Sequence, residues 1–365
     1  MQDFAGALKT FSDALVIARD QKNRTRETEL LWRPAETYHE MGSYAEAASL
    51  AENSSLMARA ARLRKIDYLA TATLGQVQAA QGKLDEAHQT LIEAVAKLEA
   101  LRDQVAGQET SAQLFLENKL GPYHGLVEIL IKQNRPVEAL RYAERAKGRV
   151  LLDVMSSVRP DLSTVLAASE KEERQRLNLR ISEINDRIKR HGTTNSESLN
   201  SLYAELDKAR LEYQAFQDGV YVKHPSLRMR SGRTAALSYH DVNELVRESS
   251  TAYLEYVVAK ERIFLFVLNK DKSTSAPELE TYAIGIQPAQ LVRKVNQFHD
   301  RLANRHPDYA GLARELFSLL IEPAEQQLRG FETICIVPDR FLWNVPFQAL
   351  MTAGNRFLIE DHAIY

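Results

Sequence analysis

One residue of the chain carries a thiol that could act as a nucleophile. Cys335 is the only cysteine among 365 residues, and it lies in the apolar run 333–337. A cysteine attacks a carbonyl carbon as its thiolate, which forms readily only where neighbouring groups favour negative charge. The apolar neighbours of Cys335 disfavour that charge, and buried cysteines usually serve in packing. The sequence therefore predicts that Cys335 is a structural residue.

His362 is the first candidate for acid–base chemistry. It follows Glu360 and Asp361, and a carboxylate can orient a histidine that acts as a general base. Residues 357–365 look like a strand, and adjacent strand residues point to opposite faces of a sheet. We therefore do not expect Asp361 to orient His362.

The other histidines offer less. His191-Gly192 lies in a polar turn between two predicted helices, and the remaining histidines, including His299 and His306, lack metal-ligand spacing. No glycine-rich phosphate loop is present in the sequence. The sequence therefore predicts no catalytic residue, no metal site and no cofactor.

Charge and composition exclude two classes of partner. The 47 basic and 49 acidic residues give a net charge of −2, whereas binding to nucleic acid or anionic membrane needs an excess of positive charge. The longest apolar run, 263–268, is six residues long, against the roughly 20 that span a bilayer. No signal peptide is visible, and a single cysteine fits a reducing compartment, so we expect a cytoplasmic protein.

Four segments repeat one pattern of apolar and small residues. Three of them follow a turn residue, at Gly42, Gly82 and Asn134, that tolerates the left-handed backbone ending a helix. Repeats at this spacing are typical of stacked helical hairpins, so we expect an α-solenoid over residues 1–157. The segments, offset by 40, 40 and 52 residues, are Phe4-Ala7-Phe11-Ala14, Tyr44-Ala47-Ala51-Ser54, Leu84-Ala87-Leu91-Ala94 and Pro136-Ala139-Ala143-Ala146.

This array resembles the tetratricopeptide repeat, with a first helix before each turn and a second helix after it. Pro34 falls inside one first helix, which predicts a kinked or late-starting helix around Trp32. The resemblance implies that the first helices form an inner surface that binds a protein or peptide partner. Counting from the turns places six residues on that surface: Trp32, Glu36, His39, Gln76, His124 and Glu128.

A helical connector is predicted for residues 158–228. Leu177, Ile181, Ile184 and Ile188 have heptad spacing, and so does the series Leu199, Leu202, Leu206, Ala209, Tyr213 and Phe216. Between them, Gly192 can end one helix, and Thr194 with Glu197 forms a capping-box signature for the next. The pattern predicts an antiparallel coiled-coil hairpin that acts as a spacer.

Residues 229–365 change to an α/β pattern. Segments 251–258 and 262–268 predict a β-hairpin, and a third strand is expected near 282–286. Two amphipathic helices follow, and the apolar run 333–337 predicts a strand covered on both faces. A further strand is expected over 357–365, and the chain stops in the middle of it, so we expect a fragment.

Two segments of this region carry a specific resemblance: 336–350, which reads IVPDRFLWNVPFQAL, and 357–365, which reads FLIEDHAIY. They resemble the first half of a CHAT domain, the caspase-like domain found associated with tetratricopeptide repeats. Arg340 stands where that family usually has glycine, and Trp343-Asn344 where it usually has histidine and an aromatic or apolar residue. Supporting matches lie at 143–149, 254–256 and 319–324.

The resemblance implies a caspase-like fold in which a histidine and a cysteine cleave a peptide bond through an acyl intermediate. In that family both residues lie beyond the strand where this chain ends, so no position here is assigned to the dyad. The chain is predicted to be the front half of a tetratricopeptide–CHAT protein and to be inactive alone. Its parent is expected to be a cysteine endopeptidase regulated by partner binding. The alternative is a non-catalytic protein–protein interaction scaffold.

Overall fold

A computed structural model describes residues 3–105, 119–157, 166–191, 196–223, 250–270 and 277–365. The predicted boundary after residue 228 lies outside these ranges, and the boundary after residue 157 adjoins a segment outside them. Within them the first helices of the chain are α1 (Phe4–Asp20), α2 (Arg24–Met41), α3 (Tyr44–Ala60), α4 (Arg64–Ala80), α5 (Leu84–Val105), α6 (Gly121–Lys132), α7 (Pro136–Ser157), α8 (Ala168–His191) and α9 (Ser196–Lys223).

The predicted turns end their helices as expected. Gly42, Gly82 and Asn134 have φ values of 81°, 79° and 57°, in the left-handed region that glycine and asparagine tolerate. The amide after each of them closes the preceding helix; Ser43 N–H, for example, donates to Tyr38 O at 2.9 Å. The following helices begin at the predicted residues, so the helical hairpins between these turns are confirmed as local structure.

The connections between hairpins use the same backbone geometry without glycine. Lys22 and Arg62 have φ values of 52° and 54°, and Leu63 N–H donates to Ala58 O at 2.8 Å. The prediction of a late-starting helix around Trp32 is wrong, because the side chain of Asn23 caps α2 by accepting from Arg26 N–H at 3.0 Å. The helix therefore begins eight residues before Trp32 and contains Pro34.

Neighbouring helices from α1 to α5 pack in sequence order, each against the next. Their contacts bury small residues: Ala47, Ala51 and Ala58 are fully buried on α3. Leu91 of α5 packs against two glycines, Gly75 and Gly125. A Cβ on Gly75 would lie 2.7 Å from the Leu91 side chain. Close packing of small residues thus holds this region together. The α-solenoid interpretation of the whole array stays a prediction.

Polar side chains also link consecutive helices of this region. Asp67 on α4 accepts from Lys97 Nζ at 2.5 Å and from Ser55 Oγ at 2.8 Å, so it joins α3, α4 and α5. Farther along, Glu99 on α5 accepts from Tyr123 Oη at 2.7 Å and from an arginine of α7 at 2.8 Å. Each cluster satisfies polar groups that the helix contacts exclude from water.

Helices α8 and α9 pack against each other along their predicted apolar seams. Interhelical ion pairs flank the seam, with Arg180 Nη1 lying 2.6 Å from Glu212 Oε2. Gly192 and Thr194 lie outside the described residues, so the predicted capping box is not described. The helix pair is as expected, and the coiled-coil interpretation stays a prediction. The buried seam residues are Leu177, Ile181, Ile184, Leu206, Ala209 and Tyr213.

The C-terminal region contains a five-stranded sheet in the order β3-β2-β1-β4-β5. Strands β1, β2 and β3 are antiparallel, whereas β1, β4 and β5 are parallel. The third strand begins at Pro277, earlier than the predicted 282–286, because its exposed glutamates hide the strand pattern at an edge position. The elements are β1 (Thr251–Val258), β2 (Ile263–Lys270), β3 (Pro277–Ile284), α10 (Pro288–Ala303), α11 (Tyr309–Leu320), α12 (Glu325–Leu328), β4 (Thr333–Val337), α13 (Leu358–Asp361) and β5 (Ala363–Ile364).

One face of this sheet packs on α10 and α11. Leu254 and Leu265 from the sheet and Phe298 from α10 are fully buried in one apolar cluster. Tyr256 lies in the same cluster, and its hydroxyl donates to Leu320 O at 2.7 Å, which satisfies a buried carbonyl at the end of α11. Strand β4 is less covered than predicted: Ile334 is its one fully buried residue, so the expectation of burial on both faces is wrong.

The predicted strand 357–365 is the main error in this region. Residues Leu358–Asp361 form the short helix α13, and only Ala363–Ile364 form a strand. The side chain of Glu360 accepts from Phe357 N–H at 2.7 Å and caps the helix. An arginine, Arg356, pairs with Asp361. These local polar contacts favour a helical turn over extension of the apolar residues.

Candidate functional site

The sequence places Trp32 on the partner-binding surface, but the residue is only 6% exposed. It packs with Ala58, Ile66 and Ala70, and its indole N–H donates to Thr73 Oγ1 at 3.1 Å. The ring therefore belongs to the core of the helical region, because counting from the turn gives the correct helix but not the depth of the side chain. Its neighbour on the surface is Arg33, whose guanidinium carbon lies 4.7 Å from the ring centroid.

The other predicted surface residues divide into two groups. His124 is buried, with 9% exposure. Glu36 is exposed, and His39, Gln76 and Glu128 are half-buried. We define the first-helix surface as the exposed parts of α2, α4 and the start of α6, together with the residues just before α6. Four of the six predicted residues thus remain candidates for contacts on this surface or its continuation along α6.

Two other cations of the first-helix surface influence the charge of Lys119, and none of the three was predicted from the sequence. Lys119 lies just before α6, Lys65 lies in the first turn of α4 and Arg33 lies on α2. Burial lowers the pKa of Lys119; Glu36 opposes this effect, whereas Lys65 and Arg33 lower the pKa further. The positive charges of two other segments therefore act on one half-buried ammonium group. No local motif in the sequence indicates this cluster.

Gln76 lies at the same surface, beside the start of α6. A Cβ placed on Gly121 would lie 3.3 Å from Gln76 Nε2. Because Gly121 has no side chain, the amide of Gln76 approaches the backbone of α6 closely. The surface thus combines an amide with the three cations and with the carboxylate of Glu36.

The thiol of Cys335 is not prepared for nucleophilic attack. The side chain lies on β4 and is half-buried, and burial raises the pKa of the thiol. Catalytic cysteines require the opposite shift, since a lowered pKa supplies the thiolate at neutral pH. The prediction that Cys335 is structural agrees with this environment.

His362 has a structural partner. Its Nδ1 lies 2.8 Å from Phe331 O, so the Nδ1 proton is donated to a backbone carbonyl. Ala363 pairs with Thr333 on the neighbouring strand. His362 is one residue before Ala363, and Cys335 is two residues after Thr333, so the two side chains are three strand positions apart. At about 3.3 Å per strand residue, the thiol and the imidazole are offset by ~10 Å along the strands. They are too far apart for the hydrogen bond of a nucleophile–base pair.

The segment after β4 fixes the end of a neighbouring strand. Asp339 Oδ2 accepts from Val258 N–H at 2.7 Å, so the carboxylate satisfies the backbone amide of the last residue of β1. Arg340 has a φ of 50°, the left-handed conformation that glycine adopts most easily. Trp343 is 70% exposed, whereas Leu342 and the apolar residues that follow are buried in the sheet core.

Within the described ranges, no group of three or more histidine, cysteine, aspartate or glutamate side chains has the arrangement of a metal site. None of the helices in the same ranges combines the length and the apolar character that crossing a bilayer requires.

Comparison with known proteins identifies one related domain. Residues 310–365 match the CHAT domain family, and this segment runs from α11 to β5. The match covers less than half of the chain and bears out the predicted resemblance of this segment. No curated protein sequence matches the chain. The tetratricopeptide interpretation of the helical region stays a prediction.

Proposed function

We propose that the chain joins a protein-binding helical array to the front part of a caspase-like CHAT domain. In this proposal the parent protein is a cytoplasmic cysteine endopeptidase, and a partner bound to the array regulates its activity. The chain described here supplies the binding surface and part of the sheet but not the catalytic histidine and cysteine.

The match of residues 310–365 to the CHAT family is the observation that carries this proposal. The buried motif residues support it, because Leu342, Phe347 and Leu350 are core residues of the sheet region. The neighbourhoods of Cys335 and His362 support the absence of a dyad among the described residues, since the thiol has a raised pKa and the imidazole binds a backbone carbonyl.

The role of the array rests on its architecture. Helices that pack in sequence order form an extended surface, and such surfaces usually bind other proteins. The first-helix surface carries both signs of charge and polar side chains, which suits contact with a peptide or protein segment.

The test compares this chain with the parent protein, each incubated with a random peptide library and analysed by mass spectrometry. We expect cleavage by the parent protein that iodoacetamide abolishes and that Cys335→Ser leaves intact, because Cys335 is a packing residue. The isolated chain should cleave nothing.

Two results would change the assignment. Cleavage by the isolated chain that disappears in Cys335→Ser, with the circular dichroism spectrum unchanged, would make Cys335 catalytic. A parent protein that cleaves no peptide, alone or with its partner bound, would establish the non-catalytic interaction scaffold instead.

A further inference from the structure

We propose that one edge of the helical array docks on a membrane surface that carries anionic lipids. This edge, which we call the inter-hairpin edge, consists of residues 19–27 and 59–67, which join α1 to α2 and α3 to α4. A peripheral contact of this kind needs no helix that spans the bilayer. Membrane docking goes beyond the proposed function and does not depend on peptidase activity.

The two turns of the inter-hairpin edge lie at the same end of the array. Each turn is short, so the chain reverses direction there, and α2 and α4 both begin at this end and pack against each other. The indole N–H of Trp32 donates to Thr73 Oγ1 at 3.1 Å. Trp32 lies eight residues after the start of α2 and Thr73 nine residues after the start of α4, so the two helices begin at nearly the same level.

Positive charge is concentrated at the inter-hairpin edge. Its residues include eight lysines and arginines and three carboxylates, which gives a net charge of +5 in a chain whose net charge is −2. The turns at the opposite end, residues 38–46 and 78–86, contain one lysine and four carboxylates, which gives a net charge of −3. The net charge of the whole chain predicts no anionic partner, but it averages over this local excess.

The cations recur at equivalent positions of the two turns. Lys22 and Arg62 both have a left-handed backbone, with φ values of 52° and 54°, and Arg24 begins α2 as Arg64 begins α4. Lys22, Arg24 and Arg62 are exposed, and none of these three forms an ion pair within the described ranges. Arg24 also lies in the first turn of α2, where the helix dipole disfavours positive charge. These three side chains can therefore contact anionic headgroups without breaking an ion pair of the protein.

Exposed aliphatic side chains lie close to these cations. Val16 and Ile17 on α1 are each 56% exposed, and Leu56 on α3 is 58% exposed. Val16 lies four residues before the end of α1 and Leu56 four residues before the end of α3, so each is about 6 Å from its helix end. Peripheral proteins bury apolar groups about 5–10 Å into the interface of a bilayer. The aliphatic groups are thus at a depth that suits insertion while the cations contact the headgroups.

This combination favours a bilayer over a soluble polyanion. A single-stranded nucleic acid is bound by cations together with aromatic rings on which the bases stack, and the inter-hairpin edge contains no aromatic residue. An acidic peptide would need the cations alone. A bilayer interface uses both the cations and the exposed aliphatic groups.

The experiment is flotation of the full chain with lipid vesicles, made either of phosphatidylcholine alone or of an equal mixture of phosphatidylcholine and phosphatidylserine. We expect the chain to float with the mixed vesicles only. The bound fraction should fall as salt rises, because salt screens the attraction between the cations and the headgroups.

Variants separate the two contributions to binding. Lys22→Gln, Arg24→Gln and Arg62→Gln should each lower the partition coefficient for the mixed vesicles by about fivefold, and together by about a hundredfold, because each removes one cation. Leu56→Gln should lower it by about tenfold through lost burial of an aliphatic side chain. It should leave the salt dependence unchanged. Val16→Thr, which conserves the shape of the side chain, repeats this test on α1 with a smaller loss.

Lys83→Gln is the matched control, because Lys83 is exposed in a turn at the opposite end of the array and its loss should leave flotation unchanged. Circular dichroism checks the fold of every variant. Absence of flotation with the mixed vesicles would overturn the proposal, as would equal flotation with phosphatidylcholine alone or equal losses in Lys83→Gln and Lys22→Gln. An unchanged partition coefficient in Leu56→Gln would also overturn it, because the edge would then bind polyanions in general.

Discussion

The helical array and the five-stranded sheet bury their residues in different ways. On α3, Ala47, Ala51 and Ala58 are fully buried, and polar clusters such as Asp67 with Lys97 join one helix to the next. The sheet region instead buries large side chains, including Leu254, Phe298 and others, in a single cluster that gathers residues from distant parts of the sequence.

This difference separates the two roles in the proposed function. Contacts in the array link helices close in sequence, so its buried surface is divided among successive helix pairs. In the sheet core the buried hydroxyl of Tyr256 donates to the Leu320 carbonyl, and the parallel strands pair residues far apart in the chain. Stability in the array is therefore distributed, whereas in the sheet it depends on individual large residues.

The strongest test of this comparison replaces one large core residue. Phe298→Ala removes a fully buried ring from the sheet cluster, and we expect a loss of about 3–5 kcal/mol in the free energy of unfolding of the sheet region. Hydrogen exchange followed by mass spectrometry should show faster exchange in β1, β2 and β4.

The control for that variant lies in the array. Ala51→Gly removes a fully buried methyl group from the middle of α3 and should cost about 1–2 kcal/mol, from helix propensity and lost packing. If both variants destabilised their regions equally, the proposed contrast between distributed and concentrated stability would be wrong.

A second test enlarges a small residue in the array. A Cβ on Gly75 would lie 2.7 Å from Leu91, so Gly75→Ala should destabilise the array by about 1–3 kcal/mol through overpacking. Gly311→Ala in α11 is the matched control. Its Cβ would meet nothing within 4 Å, so it should be neutral or stabilising by up to about 1 kcal/mol. Thermal melts followed by circular dichroism measure both, and a stable Gly75→Ala variant would mean that this contact can relax.

The features that the sequence predicts well depend on local signals. Gly42, Gly82 and Asn134 indicate the turns, because glycine and asparagine tolerate a left-handed backbone. The strands 251–258 and 333–337 show as apolar runs, since they pair in the middle of the sheet.

The features that were missed depend on tertiary context. Lys22 and Arg62 adopt the same left-handed turn with no distinctive residue type. The helix α13 arises from the cap by Glu360, a contact that competes with the strand propensity of the apolar residues around it. The cluster around Lys119 comes from three separate segments, so no spacing rule in the sequence could assemble it.

A third test removes a polar contact from the sheet core. Tyr256→Phe leaves the Leu320 carbonyl without its 2.7 Å hydrogen bond. We expect a loss of about 1–2 kcal/mol, because the buried carbonyl keeps its desolvation penalty. Tyr365→Phe is the control, since Tyr365 is 77% exposed and should leave stability unchanged. Urea denaturation measures both, and equal midpoints for the two variants would show that water replaces the lost donor.

The smallest expected effect concerns the turns of the array. Arg62 has a φ of 54°, which costs a side-chain-bearing residue about 1 kcal/mol, whereas glycine adopts it freely. Arg62→Gly should therefore stabilise the array by about 0.5 kcal/mol, after the greater freedom of glycine in the unfolded chain is subtracted. Gly42→Ala makes the reverse change at a φ of 81°, with no atom within 4 Å of the added Cβ. It should destabilise by about 1 kcal/mol through backbone strain alone. Thermal melts of the two variants give the signs directly. If Arg62→Gly lowered the melting temperature, the arginine side chain would contribute more through its contacts than its backbone costs, and the turns between hairpins would differ in kind from those within them.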